Sequence, residues 1–276
     1  MTNKWNHFSA QTEQRLSDAI AEDDVIDAHV SLPQVIDLHC SEENIRANYA
    51  LCLQHWEGGF SRPALWHLVR KQIRNGELSK QERQQFKDIR ARYKHLRFAL
   101  RLYSHKHEAR YLFGKVTVYL GRFQDAFRNQ NAQGVAQYGR RLRMHLSIPF
   151  WMMVRYSLRH IRLASVEDFT AYRQQQMRDL QLMIAKPELT GREFHDVRKI
   201  ISQQVSYYDT LRAIDPHNEE ALQVSRFMAA INGIMGDKHD ELVADDLSGA
   251  KPYSTPAPLD PDLRQRLELL LERYPL

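Results

Sequence analysis

Residues 86–101 read FKDIRARYKHLRFALR, and two stripes run through them. Phe86, Ile89, Tyr93, Leu96 and Leu100 recur at alternating steps of three and four, and so do Lys87, Arg90, Lys94, Arg97 and Arg101. On a helix of 3.6 residues per turn each set falls on one face. The apolar stripe can bury. The basic stripe cannot lose its water without a counter-charge, and like charges stacked along one face repel one another. A helix that keeps both is expected to turn one to a core and offer the other to an anion.

The rest of the chain extends the helical pattern. Eleven glycines and ten prolines are few for 276 residues, and long stretches are rich in Gln, Arg, Leu, Ala and Glu. Helices are expected at about 11–23, 43–56, 62–74, 79–103, 106–128, 132–146, 149–161, 166–185, 191–213, 217–235 and 260–274. Ser41-Glu42-Glu43-Asn44 and Ser79-Lys80-Gln81-Glu82 have the form of N-terminal caps, the second a capping box. Pro63, Pro149 and Pro187 stand where prolines open or separate helices. No segment sustains apolar–polar alternation, so the expected fold class is all-α. No apolar run approaches the length of a membrane span, and the opening MTNKWNHFSAQTEQ has no apolar signal core. With Cys40 and Cys52 outside any CxxC pattern, a cytoplasmic location with free thiols is expected.

The net charge of +5 conceals an asymmetry. Residues 87–162 carry 17 Lys or Arg against three acids, while residues 1–86 are net −3 and residues 163–276 net −6. A basic middle between acidic ends implies a local anion site rather than a generally adhesive surface. Inorganic polyanions, nucleic acid and anionic lipid are the candidate ligand classes.

Internal similarity divides the chain further. Phe86-Lys87-Asp88-Ile89-Arg90 returns as Phe194-His195-Asp196-Val197-Arg198, and Leu120-Gly121 with Asp125 returns as Met235-Gly236 with Asp240. Two similar helical-bundle halves, about 76–165 and 166–247, are expected in a pseudo-twofold arrangement around a basic groove. Residues 1–75 are expected as an N-terminal helical extension. The proline-rich stretch 248–262 reads as an extended or mobile linker, and 263–276 as an amphipathic C-terminal helix that docks on the body or on a partner.

These motifs resemble the CHAD domain, the conserved histidine α-helical domain. In that family each half opens with His-x-x-Arg, continues through a basic pair and Leu-Arg, and later carries Leu-Gly-x-x-x-Asp. Arg90, Lys94, His95 and Arg97 fit the basic positions of the first half, with Leu120, Gly121 and Asp125 after them. His195, Arg198, Gly236 and Asp240 fit the second. The resemblance spans about 76–247. Lys87 replaces one histidine, and Ser202, Gln203 and Val205 stand where basic residues would be. It implies non-catalytic binding of inorganic polyphosphate in a basic channel, with polyphosphate granules as an associated location. The acidic-lined tunnel domain sometimes joined to the family is not visible in the sequence.

The expected polyphosphate-binding set is Lys87, Arg90, Lys94, His95, Arg97, Arg101, Arg140, Arg141, Arg143, His195 and Arg198. Arginine forks hold phosphate oxygens bidentately and lysines act as point charges. Arg155, Arg159 and Arg162 beside Trp151, Met152 and Tyr156 read as part of the same wall, as a nucleic-acid surface, as a membrane-surface helix, or as a core helix with snorkelling arginines. His105 and His107 do not share a helix face, so no metal is expected. No P-loop, GxGxxG, GxSxG or HExxH pattern is present, so neither an enzyme nor a cofactor is expected. The alternatives are an adaptor for a protein partner, with Trp56, Trp66 and Leu68 as anchors, and an RNA- or DNA-binding helical module.

Overall fold

A computed structural model describes residues 5–276, so the first four residues of the expected extension lie outside the described residues. The fold is all-α. Its helices are α1 (Ala10–Ala21), α2 (Glu42–Gly58), α3 (Arg62–Asn75), α4 (Lys80–Tyr103), α5 (Tyr111–Arg128), α6 (Ala132–His145), α7 (Ile148–Arg159), α8 (Val166–Ile184), α9 (Gly191–Ile214), α10 (Glu219–Ser248) and α11 (Pro261–Arg273). Two-residue strands β1 (Glu188–Leu189) and β2 (Ala257–Pro258) pair antiparallel.

The chain divides into two compact units, one of residues 5–8 with Tyr49–Ala164 and one of Ser9–Asn48 with Ser165–Leu276. The expected 1–75 extension is therefore not a separate piece: the boundary falls inside α2. Tyr49 and Trp56 are buried in the first unit, whereas Ile36 pairs its backbone with Arg273 in the second.

In the first unit, α4 begins as its sequence dictates. Ser79 and Glu82 form a reciprocal capping box, and Lys71 of α3 grips Glu82 at 2.6 Å. The apolar stripe Phe86, Ile89, Tyr93, Leu96 and Leu100 is buried. Around it pack Trp56, Phe60, Phe113 and Trp151, with Tyr93 stacked on Phe113 at 5.2 Å. Trp56 and Leu68, expected as partner anchors, are core residues, and Trp66 is half-buried with Arg143 over its ring. Helix α5 starts five residues later than expected. The segment after α4 folds into a turn instead, with His107 at φ 49° and its N–H donating to the Ser104 carbonyl.

In the second unit, α9 packs against α1, α8 and α10. It too starts in a capping box, Thr190 with Glu193, and Lys186 grips Glu193 at 2.6 Å. Every residue from Ile200 to Thr210 is buried, the polar ones included. They pair internally: Ser202 donates to Asn232, Gln203 and Gln204 to Gln176, and Ser225 to Asp209. Arg173 of α8 lies within an aromatic cage of Phe169, Tyr207, Tyr208 and Tyr274, and donates to Gln204 and Tyr208. Helix α10 runs 13 residues beyond the expected end at 235, through a polar segment without apolar periodicity, and stops at Gly249 in the left-handed region. The expected linker is extended but pinned. Gly191 donates its N–H to the Tyr253 carbonyl, Tyr253 donates to Asp246, and β2 pairs with β1. Helix α11 docks on α8 and α10 through buried Leu263, Leu267 and Leu270.

Candidate functional site

The basic stripe of α4 is graded along its length. Lys87 is exposed at one end, while Arg90, Lys94, Arg97 and Arg101 are half-buried. Arg90 lies against α5, its Nε 3.7 Å from where a Cβ on Gly121 would stand. The stem of Lys94 carries its ammonium over the Phe98 ring at 5.6 Å. Neither the Arg97 nor the Arg101 side chain has a hydrogen-bond or ion-pair partner among the described residues. Burial and the neighbouring Arg101 charge pull the Arg97 pKa below the usual guanidinium value. A half-buried cation opposed by its surroundings is short of negative charge.

Lys87 opens into a cleft of about 840 Å³ lined by α3, α4, α5 and α6. Arg83, one turn before Lys87, and Arg128, at the end of α5, also line it, together with Gln72, Gln84, Gln124 and Gln130. Glu77 is the acidic residue in this lining. Arg83 and Arg128 were not in the expected set. Arg83 is in register with the stripe at i−4 from Lys87, but Arg128 joins only through tertiary folding.

Other expected residues lie elsewhere. His95 is buried, with its ring 6.2 Å from that of His55. Burial, with Lys94 and Arg92 nearby, pulls its pKa down to about 3. It is a neutral interior group, which corrects its placement among the anion ligands: it follows Lys94 directly, and a step of 100° takes it off the basic face. Arg140, Arg141 and Arg143 of α6 do not form one wall. Arg140 donates to the Ala136 carbonyl of its own helix, Arg141 lies over Tyr119 and Tyr138, and Arg143 lies over Trp66. Arg122 also lies over Tyr138, so Arg122, Arg141, Tyr119 and Tyr138 make an aromatic–cation cluster on α5 and α6.

His195 and Arg198 belong to the second unit. The His195 ring lies 5.1 Å from that of His239, and its Nδ1 is buried without a hydrogen-bond partner. Burial, Lys199 and His239 lower its pKa to about 4, so the imidazole is neutral near pH 7. Arg198 lies against α10, its Nη2 3.0 Å from where a Cβ on Gly236 would stand.

The two units differ in charge. Residues 5–8 and 49–164 hold 23 Lys or Arg against six acids, net +17. Residues 9–48 and 165–276 hold 15 against 28, net −13. The chain matches no model of a known protein family, no curated protein and no solved structure. A functional reading therefore rests on the geometry and charge of α4 and its surroundings.

Proposed function

We propose that the protein binds inorganic polyphosphate, without catalysis, along the basic face of α4. The observation that carries this reading is the pair Arg97 and Arg101, half-buried and without anionic partners on a unit of net +17. The face from Lys87 to Arg101 is about 21 Å long with a cation every turn, about 5 Å apart. A linear chain with a charge on each phosphate fits such a row; a small anion would use one or two of its members. Arg83 and Arg128 extend the row into the cleft at the Lys87 end. The resemblance of residues 76–247 to a polyphosphate-associated family supports the same ligand. Arg198 is proposed as a second cationic contact in the other unit, with His195, neutral near pH 7, as a hydrogen-bond donor beside it rather than a cation.

A nucleic-acid reading is favoured by one observation, the Tyr119, Tyr138, Arg122 and Arg141 cluster, because bases stack on such surfaces. A titration of the full chain with long-chain polyphosphate, with single-stranded RNA as competitor, separates the two. Five ionic contacts at about 0.7 counterion each predict an affinity loss of about a hundredfold between 50 and 200 mM salt. Polyphosphate binding that RNA does not displace supports the proposal. Equal displacement by RNA supports the alternative, and no binding at 50 mM salt rejects both.

A further inference from the structure

Of the large hydrophobic side chains that are exposed among the described residues, five lie within thirteen positions: Met144, Ile148, Met152, Met153 and Tyr156. Four belong to α7, whose opposite side buries Val154 and Leu158. Ile148, Met152 and Tyr156 are spaced at i, i+4 and i+8 and so form a line about 12 Å long down the helix. Their exposures of 63%, 56% and 66% mark a crest rather than the lining of a groove, where the walls would cover them. Exposed apolar side chains clustered in this way, rather than scattered singly, mark an interaction surface.

The form of the crest and the sign of its surroundings select the partner. We infer that α7 lies lengthwise in the interface of an anionic lipid bilayer. A ridge with apolar residues along its outer line suits a flat, deformable apolar boundary, whereas a helix from a partner protein would need a groove. Arg143 and Arg162 are exposed on either side of α7, and the unit that carries it is net +17. Juxtamembrane cations add attraction to acidic headgroups, and Tyr156 is a residue type that sits well at headgroup level. Arg155 and Arg159 are both paired with Glu57, which fixes α7 against α2 and leaves the crest as a rigid feature.

The inference is independent of polyphosphate binding, and its test separates the two. The full chain is sedimented with vesicles of phosphatidylcholine alone and of phosphatidylcholine with about 30% phosphatidylserine. Binding is expected to the second and not the first. Met152→Ser with Tyr156→Ser, both at exposed positions and therefore compatible with folding, should weaken vesicle affinity by about tenfold or more. Arg97→Gln with Arg101→Gln should leave it within about twofold of the parent. Failure to bind anionic vesicles overturns the proposal, as does an equal loss in both variants, which would make the binding purely ionic. If the Met152 and Tyr156 substitutions instead convert an oligomer to a monomer without lipid, the crest is covered by a second copy and the proposal fails.

Discussion

Helices α4 and α9 start alike and end in opposite environments. Each is 24 residues long, opens in a capping box, and has the glutamate of that box held by a lysine from the segment before it. Each lays the arginine of a Phe-x-x-x-Arg run against a glycine of the following helix, Arg90 on Gly121 and Arg198 on Gly236. Counted from those phenylalanines, Lys94, Arg97 and Arg101 of α4 correspond to Ser202, Val205 and Asp209 of α9. The first three are half-buried and the second three fully buried. Where neighbours cover a helix on every side, its charges must be removed or paired. Where a side is left open, cations survive, and at Arg97 and Arg101 they survive without hydrogen-bond or ion-pair partners among the described residues.

The sharpest way to break this comparison is to move the charge. Val205→Arg places a guanidinium where the native side chain is fully buried and should cost about 4 kcal/mol or more, or prevent folding, as read by urea denaturation. Arg97→Val removes an opposed charge and should stay within about 1 kcal/mol of the parent. A tolerated Val205→Arg would mean that the cover over α9 is loose enough to admit water to a guanidinium.

Acid should affect the two units differently. In the first unit, burial lowers the pKa of His55 to about 2 and of His95 to about 3. Their folded values lie below the unfolded one, so their contribution is complete above about pH 6.5 and is lost as pH falls. Between pH 7 and 5 each should withdraw about 2 kcal/mol. In the second unit, burial raises Asp209 to about 7, above its unfolded value. Its contribution is present in full below about pH 4 and lost as pH rises toward 7, so acidification strengthens it. His195, lowered to about 4, offsets part of that gain. Hydrogen exchange corrected for intrinsic rate should therefore show protection falling in α4 and α5 from pH 7 to 5 and holding in α9 and α10. An Asp209→Asn variant should lose the compensation in the second unit.

The smallest effect concerns the shared arginine–glycine crossing. A Cβ on Gly121 would sit in ordinary contact with Arg90 at 3.7 Å, so Gly121→Ala should stabilise by up to about 1 kcal/mol through helix propensity. On Gly236 it would meet Arg198 at 3.0 Å, and the guanidinium would have to shift. Gly236→Ala should gain about 0.5 kcal/mol at most. Thermal melts of the two variants resolve the difference, and equal gains would mean that the crossings are equally open.

The helices were legible because their signals are local. Ser79 and Glu82 cap, Phe86 to Leu100 keep register, and Pro63 and Pro149 open helices whose first turns need no proline N–H. The extra length of α10 was not legible, since residues 236–248 lack an apolar face and only Gly249 marks the end. Division of the N-terminal segment between two units depends on tertiary partners of Tyr49 and Ile36 that no local pattern encodes. That Lys87, Arg90, Lys94, Arg97 and Arg101 share one face of α4 was legible because spacing alone sets a face, but the gradient from exposed Lys87 to half-buried Arg101 depends on the helices packed around them. The burial of His95 was legible in part: standing directly after Lys94 it lies about 100° off the basic face, while its core neighbour His55 comes from a helix 40 residues earlier. The α7 crest was ambiguous because Trp151 turns toward Trp56 and Phe60 while Met152, next to it in sequence, and Tyr156, one turn after Met152, face out.

The most direct test of the anion face is the polyphosphate affinity of Arg97→Gln with Arg101→Gln at fixed salt, against a control that removes exposed Arg178 and Arg226 from the second unit. Loss of about 1 kcal/mol or more per cation predicts at least about a thirtyfold fall in the first variant and a change within about twofold in the control. Unchanged affinity in Arg97→Gln with Arg101→Gln, or an equal fall in both proteins, would contradict the account.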